Sequence, residues 1–477
     1  MNTNQRYLIA HRVRFPAQTK HFGALETVLA HSQSARAIRQ TPSGRRVASM
    51  TAREANALAR QSPHLIVEED QPLILHPMPD VPTLYSGEAK FMLRVNVQDK
   101  ATGQGVPDVT IFGLSGELAY KAQTNAQGVA QLATASAALD RIIVSPRDRY
   151  WSQVVDDVSL GVTPEITIPL ERLPLDGGWT WGHRILGFDQ VTRCWTGRGV
   201  RIGVIDSGIA SDLSDLHPSG GCNTLDGQDF RRWDIDEKGH GTHCAGIVAA
   251  KHNRVGITGG AFGSEVYSIK VFPSGFISDL VEAVDWCIAN RMDVINMSLG
   301  SPHPSQLLAD ALAQADACGI VCVAAAGNDS THVSFPAVLE TVIAVSAIGR
   351  VGTFPLDSGH ALRLTDRTDW RGELFSASFN NFGLEVDVCA PGVAIVSTVP
   401  TGYAAWDGTS MACPFISALV ALLLEACPRL RTGDAWQTEC VRRLLRAAAL
   451  PLGLSPLLQG AGLPSMPRLL SAAARFL

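Results

Sequence analysis

The chain has no strong excess of either charge. Its formal net charge is −5 over 477 residues. Nothing in it offers the basic face that nucleic acid or an acidic membrane surface requires, so no nucleic-acid partner is expected. No uncharged apolar run is long enough to cross a bilayer, and no membrane span is expected. The longest, Met411 to Leu424, falls short of the roughly 20 residues a spanning helix needs. Met1 to Arg14 holds no apolar stretch of signal-peptide length, being interrupted by Arg6, His11, Arg12 and Arg14. Cysteine is missing from the first 193 residues, and all ten lie between Cys194 and Cys440. Spacings such as Cys318 and Cys322 match no zinc ribbon. Most read as buried thiols packed as small hydrophobes, with one or two disulfides of an exported enzyme as the alternative. The missing leader and the many thiols lean towards the cytoplasm. What remains is 46% hydrophobic and 18% charged, a composition that can bury a large core.

Three regions follow one another. Residues 1–80 begin with a strand-like Tyr7-Leu8-Ile9-Ala10 and a helical stretch from His21 to His31. Thr51-Ala52-Arg53-Glu54 is a capping box that opens a second helix. Leu65-Ile66-Val67 and Leu73-Ile74-Leu75 read as strands, which makes a small α+β unit, and Pro77, Pro79 and Pro82 end it. Residues 88–172 read as all-β. Phe91 to Val97, Val109 to Phe112 and Ile142 to Val144 are short strands separated by turn signals, the pattern of a sandwich. From 178 to 477 strands and helices alternate. Val200 to Ile205, Val294 to Leu299 and Ile320 to Ala325 are strands, with helices at Ser278 to Asn290 and Gln306 to Cys318. That rhythm predicts an α/β fold, a parallel sheet covered by helices on both faces.

Four short stretches in this last region carry chemistry together. Ile205-Asp206-Ser207-Gly208 ends a strand with a carboxylate. Gly239-His240-Gly241-Thr242-His243-Cys244 begins a helix of small residues. Ala324-Ala325-Ala326-Gly327-Asn328 ends another strand, and Gly408-Thr409-Ser410-Met411-Ala412 leads into the apolar run. A serine hydroxyl is a weak nucleophile that needs an imidazole base, and a carboxylate fixes the imidazole's tautomer. The oxyanion then needs preorganised donors, which the Ser410 amide and the Asn328 side chain would supply. Asp and Asn at strand C-terminal ends fall on the sheet edge where open α/β folds build sites. The uncharged Met411 to Leu424 reads as a helix buried on nearly all sides. His240 and His243 beside Cys244 admit a second reading as metal ligands, but no further ligand cluster accompanies them.

With Asp206, His240, Asn328 and Ser410 in this order and 34, 88 and 82 residues apart, the region resembles the catalytic domain of the subtilases. The resemblance implies a serine endopeptidase that acts through an acyl-enzyme. Asp206, His240 and Ser410 would form its triad and Asn328 would supply the oxyanion amide. Ser298-Leu299-Gly300 would pair with substrate backbone, and Ala325 and Gly327 would line the specificity pocket, with Ser334 near its floor. Phe415-Ile416-Ser417-Ala418 and Gly260-Ala261-Phe262-Gly263 depart from the family pattern at packing positions. No cofactor for catalysis is implied. Structural Ca²⁺ is, through Asp215, the Asn253 side chain and the carbonyls of Lys251, Val255 and Ile257, a plain loop being the alternative. Residues 1–80 resemble the subtilisin propeptide-type inhibitor, most closely at Pro63 to Gln71. That implies a zymogen whose own prodomain occupies the active-site cleft, and cleavage between His76 and Ser86 or near Leu173 to Gly178. Residues 88–172 are similar to immunoglobulin-like or carboxypeptidase-regulatory-like sandwiches. The propeptide and calcium loop lean towards export, which leaves the compartment open. A peptide ligase or cyclase, and an inhibited binding scaffold, are the rival readings. Cys244 is either a packing residue or a thiol whose modification blocks the site.

Overall fold

The computed structural model describes residues 3–11, 23–32, 35–73, 75, 84–160, 164–369 and 372–476. Its largest sheet places strands in the order Gly220–Asn223, Glu265–Lys270, Arg201–Asp206, Val294–Met297, Val321–Ala325, Val342–Arg350 and Leu374–Ser376, with Val386–Pro391 also on Val342–Arg350. Every pairing is parallel except that of Leu374–Ser376. The fold of this region is therefore α/β around a parallel sheet. Side chains alternate between the two faces of a strand. Val321, Val323 and Ala325 accordingly join one core with helices His240–Ala249 and Thr409–Ala426. Cys322, Ala324 and Ala326 join the other, with helices Ile277–Ala289 and Gln306–Ala317. Both faces are dry, which is why these strands read as continuous apolar runs.

The apolar run after Ser410 is the helix Thr409–Ala426, buried from Thr409 through Leu424. Among the described residues it is the one helix long and apolar enough to cross a membrane. Sheet strands and the helix His240–Ala249 pack around it instead. All ten cysteines are free thiols, with Cys194 and Cys318 exposed and most others buried.

The first region holds a four-stranded sheet in the order Arg36–Gln40, Arg46–Met50, Gln5–His11 and Leu65–Glu69, with helices Gly23–His31 and Ala52–Gln61. The capping box is present: Thr51 N donates to Glu54 at 2.8 Å and Glu54 N to Thr51 Oγ1 at 3.3 Å. The start of the first expected helix, His21, lies outside the described residues. Of the strand expected at Leu73 to Leu75, Ile74 lies outside the described residues, and neither Leu73 nor Leu75 is part of a strand. Pro72 makes one antiparallel bridge to Phe276, and Leu73 N donates to Gly275 O at 2.8 Å. A proline has no N–H to extend a ladder.

The second region holds two sheets around one core. One contains Gln153–Ser159, Ala138–Ser145, Thr110–Ser115 and Leu118–Gln123; the other Glu165–Leu170, Phe91–Asp99 and Val129–Thr134. Leu118–Gln123 and Val129–Thr134 escaped the sequence reading because Ala, Gln and Lys dilute their β-branched content.

Two fully buried histidines tie this fold to pH. His183 hydrogen-bonds Thr180 and the Ile247 carbonyl, and burial pulls its pKa down to about 4. His243 bonds the Ile395 and Ala404 carbonyls, and burial pulls it to about 3. Both start from 6.5. Below that value the unfolded chain binds protons that the folded chain refuses, so stability is lost as pH falls from 6.5 towards 4. We expect the thermal midpoint to drop across this window and His243→Gln to shallow the drop. An unchanged slope in that variant would remove the buried imidazole as the cause.

Candidate active site

The strand Arg201–Asp206 delivers Asp206 to the carboxyl edge of the sheet, and the helix His240–Ala249 begins at the facing residue. Their approach depends on Gly241. A Cβ there would lie 2.2 Å from Gly208 O and 3.0 Å from Asp206 Cβ. His240 Nδ1 donates to Asp206 Oδ1 and Oδ2 at 2.8 and 2.9 Å, and Ser207 N is a second donor, to Oδ1 at 2.7 Å. Burial alone would lower the His240 pKa. Attraction to Asp206 outweighs it and holds the imidazole well above its ordinary value. Asp236 fixes the surrounding loop by accepting from Ser207 Oγ, Gly239 N and Thr242 N. Sequence reasoning missed Asp236, though its place four residues before His240 was a usable signal.

Ser410 sits in the first turn of the buried helix. Pro414 has no N–H, so the carbonyl of Ser410, four residues earlier, loses its helical partner. Two side chains take it up: Ser298 Oγ donates at 2.8 Å and Cys244 Sγ at 3.4 Å. Cys244 also lies 3.9 Å from His240 Nδ1. One missing amide thus ties the Ser410 backbone to the His240 helix and to the strand end carrying Ser298. Asn296 extends the tie, donating to Ser298 Oγ at 3.0 Å and accepting from Ser417 Oγ at 3.0 Å.

Asn328 closes the other side. Its Oδ1 accepts from Thr409 N and Thr409 Oγ1 at 2.9 and 2.8 Å, which turns its Nδ2 towards the Ser410 turn. A Cβ on Gly408 would lie 3.3 Å from that nitrogen. The four expected residues therefore converge at one rim. One bond differs from expectation: Ser410 Oγ donates to Ser298 O at 3.2 Å, and no bond to His240 Nε2 forms among the described residues. Such contacts commonly tighten only when substrate binds.

Leu299 and Ala325 are fully buried, on opposite cores, so only their backbone can face a peptide. Gly300 follows Leu299. At Gly327 (φ 115°) a Cβ would lie 2.2 Å from Asn381 Nδ2 and 2.7 Å from Ser334 Oγ. Asn381 Nδ2 donates to Ser334 Oγ at 3.0 Å, while its Oδ1 accepts from Asp329 N and Thr331 N. Asn381 organises this loop and was not read from the sequence.

Asp215 and Asn253 lie apart from this rim. Asp215 is 1% exposed, and burial pushes its carboxyl up. Its Oδ2 accepts from Tyr403 OH at 3.0 Å and Ile257 N at 3.4 Å, while Oδ1 has no partner among the described residues. Asn253 Oδ1 accepts from Val255 N at 2.8 Å. Asp206, His240 and Cys244 place donor atoms within 4.8 Å of one another, but no fourth donor joins them among the described residues. His243 faces away, stacked on Trp406 at 4.6 Å. Burial pushes the Cys244 thiol up from its ordinary value.

Comparison with known proteins covers the region that carries this site. The Subtilase family profile matches residues 197–462. Subtilisin DY of Bacillus licheniformis is 38% identical over 283 residues, 57% of this chain and 92% of its own length. Subtilisin of Bacillus pumilus is 37% identical over 270 residues, 55% of this chain and 87% of its own. An alkaline protease of Alkalihalobacillus alcalophilus is 34% identical over 305 residues, 63% of this chain and 70% of its own. The chain belongs to the subtilase family and is a subtilisin-like serine endopeptidase.

Proposed function

We propose that Ser410 is the nucleophile, His240 its base and then its acid, Asp206 the group that orients the imidazole, and Asn328 an oxyanion donor. The convergence of these four on one sheet edge carries the reading. His240 Nε2 takes the Ser410 proton as Oγ attacks the peptide carbonyl. The oxyanion is met by Asn328 Nδ2 and the Ser410 amide. His240 then protonates the leaving amine, and water repeats the sequence on the acyl-enzyme. The backbones of Ser298, Leu299 and Gly300 pair with substrate, and Ala325 and Gly327 line the pocket for the residue before the scissile bond.

Residues 1–80 act as an inhibitory prodomain, residues 88–172 form an immunoglobulin-like sandwich, and 178–477 are the peptidase domain. Support for the first assignment comes from two carboxylates. Glu68 and Asp70 are two apart on an extended segment and so share a face. Glu68 accepts from Ser305 Oγ and from Gln306 N at 3.0 Å, at the start of one peptidase helix. Asp70 accepts from Ser278 N and Ser278 Oγ, both at 2.8 Å, at the start of another. Each sits where the helix dipole is positive. Arg6, Arg39 and Arg45 add ion pairs to Asp226, Asp279 and Asp285. Gln71 to Leu73 then run antiparallel to Gly275 to Ile277. The first region proposed for self-cleavage, His76 to Ser86, lies largely outside the described residues.

Asp215 and Asn253, with the carbonyls of Lys251, Val255 and Ile257, suit structural Ca²⁺. A buried carboxylate oxygen without a hydrogen-bond donor among the described residues, with the Asn253 side chain beside it, fits a bound cation, and an all-oxygen donor set suits a hard one.

Three measurements test these assignments. Ser410→Ala should abolish peptide hydrolysis and self-processing, and Asn328→Ala should lower kcat by about 10²–10³-fold, the range established in subtilisin for one such donor. An Asn328→Ala enzyme with unaltered kcat would displace Asn328 from the role. Glu68→Gln combined with Asp70→Asn should weaken inhibition by the first region about tenfold or more, seen as higher peptide turnover after processing. Unaltered turnover would argue against the inhibitory contact. Chelation with EDTA should lower the thermal midpoint, and Asp215→Asn should erase that response. A midpoint indifferent to EDTA would leave the loop ion-free.

A further inference from the structure

The turn that carries Ser410 holds a second histidine–carboxylate pair that the mechanism above leaves unused. Asp407 stands three residues before Ser410 and is 5% exposed. Its Oδ1 accepts from His360 Nδ1 and from Ala394 N, both at 2.7 Å, and its Oδ2 from Arg363 Nε at 3.4 Å. Burial pushes this carboxyl up, but His360 and Arg363 more than offset it and leave it below its usual range. Gly408 N, next in the chain, donates to Gly392 O at 2.8 Å. The turn is thus clamped by the Gly392 to Ala394 loop on one side and by Asn328, through Thr409, on the other.

His360 and Arg363 come from an excursion between the strands Val342–Arg350 and Leu374–Ser376. His360 is 3% exposed on the short helix Gly359–Arg363. Its Nε2 has no hydrogen-bond partner among the described residues. The ring meets Trp151 edge-on, centroids 5.5 Å apart and planes at 83°, and lies 6.0 Å from the Phe354 ring. Trp151 belongs to residues 88–172, yet its side chain joins the peptidase core and not the core of its own sheets. Its neighbours bind the same excursion. Val154 N donates to Asp357 O at 2.6 Å, Gln153 Nε2 to Asp357 Oδ2 at 2.7 Å, and Gly359 N to Ser152 Oγ at 3.0 Å. Arg149 N donates at 2.7 Å to Tyr403 O, on the strand that runs into Asp407.

We propose that Asp407, held by His360, is a positioning residue for the Ser410 nucleophile, and that residues 88–172 set this pair by burying Trp151 against His360. The all-β region is then part of the catalytic framework and not a spacer between the first region and the peptidase. A carboxylate locked by three donors fixes the backbone of the nucleophile turn. Loss of the Trp151 ring leaves the His360 ring free to tilt, and the Asp407 anchor with it. The backbone edge at Ser298 to Gly300 is not part of this contact, so peptide binding should survive while the chemical step suffers. The inference rests on Ser410 being the nucleophile.

The test compares Trp151→Ala, Trp151→Phe, His360→Ala and His360→Gln in the full chain. Each is assayed for kcat and KM on a peptide amide and for the rate of fluorophosphonate labelling per folded molecule. Trp151→Ala and His360→Ala should lower kcat and the labelling rate together by about 10- to 10²-fold, with KM within about twofold of wild type. Trp151→Phe and His360→Gln should recover most of the loss. Wild-type kcat and labelling per folded molecule in both alanine variants, even with a lower thermal midpoint, would reduce the contact to a brace and overturn the proposal. Should Trp151→Ala fail to fold, the His360→Ala and His360→Gln pair decides alone. The position of the label in the wild-type chain reports separately on the nucleophile: a label elsewhere than Ser410 refutes that assignment, whatever the variants do.

Discussion

One absent amide hydrogen organises the centre of this molecule. Pro414 cannot satisfy the Ser410 carbonyl within the helix, and a buried acceptor left alone would be destabilising by about 1–3 kcal/mol. Ser298 Oγ and Cys244 Sγ supply the donors. The first lies just beyond the strand Val294–Met297 and the second on the His240 helix, so the same contact that repairs the helix fixes where the helix sits. Two hundred residues separate Asp206 from Ser410 in sequence, and their meeting would otherwise rest on apolar packing, which sets distance far less sharply than directed hydrogen bonds. Asn296 and Ser417 carry the tie further into the core.

The charged contacts are distributed differently. Within the peptidase core the polar groups around the catalytic rim, such as Asp206, Asp236, Asn296 and Ser298, are held by neutral hydrogen-bond donors and acceptors. The interface with residues 1–80 is instead crowded with Arg6, Arg39 and Arg45 facing Asp226, Asp279, Glu282 and Asp285. Ion pairs at a partly exposed interface give orientation more than affinity. An arrangement that must seat a region accurately and later release it gains from contacts of this kind. An apolar contact accompanies them, with Leu8, Ala10, Val47 and Leu73 joining the core on that side of the sheet and Ile66 and Leu75 packed against it.

Much of the catalytic rim was legible because its residues are punctuation as well as chemistry. Asp206 ends a strand, Asn328 follows the end of the strand Val321–Ala325, and His240 and Ser410 lie in the first turns of helices. Gly241 marks a close backbone approach, and Gly327 and Gly408 take up positive φ. The α/β rhythm was legible for the same reason, since both faces of the sheet are buried and its strands read as unbroken apolar runs. The second region was harder. Val129–Thr134 is buried only at alternate residues and rich in Ala, and its pairing with Phe91–Asp99 is set by partners far along the chain. Asn381 and Asp236 escaped because their work is done on backbone amides, and a lone Asn or Asp in a loop announces no partner. The Leu73 segment looked like a strand by composition, but Pro72 limits it to a single bridge.

The contact between Trp151 and His360 was invisible for a deeper reason. Neither residue lies in a motif, and they come from regions that composition separates. A tryptophan in an all-β stretch is most simply assigned to that stretch's own core. Here the ring is spent on a neighbour, and the sheets close over Leu93, Val95, Ile111 and Ile142 without it. Surface burial of this size, placed beside a hydrogen-bonded carboxylate three residues from the nucleophile, links folding of one region to the geometry of another. The excursion that carries His360 is bonded on one side to Asp407 and on the other to Ser152, Gln153 and Val154, so the proposed link from the β-region to the serine turn runs through a continuous chain of contacts.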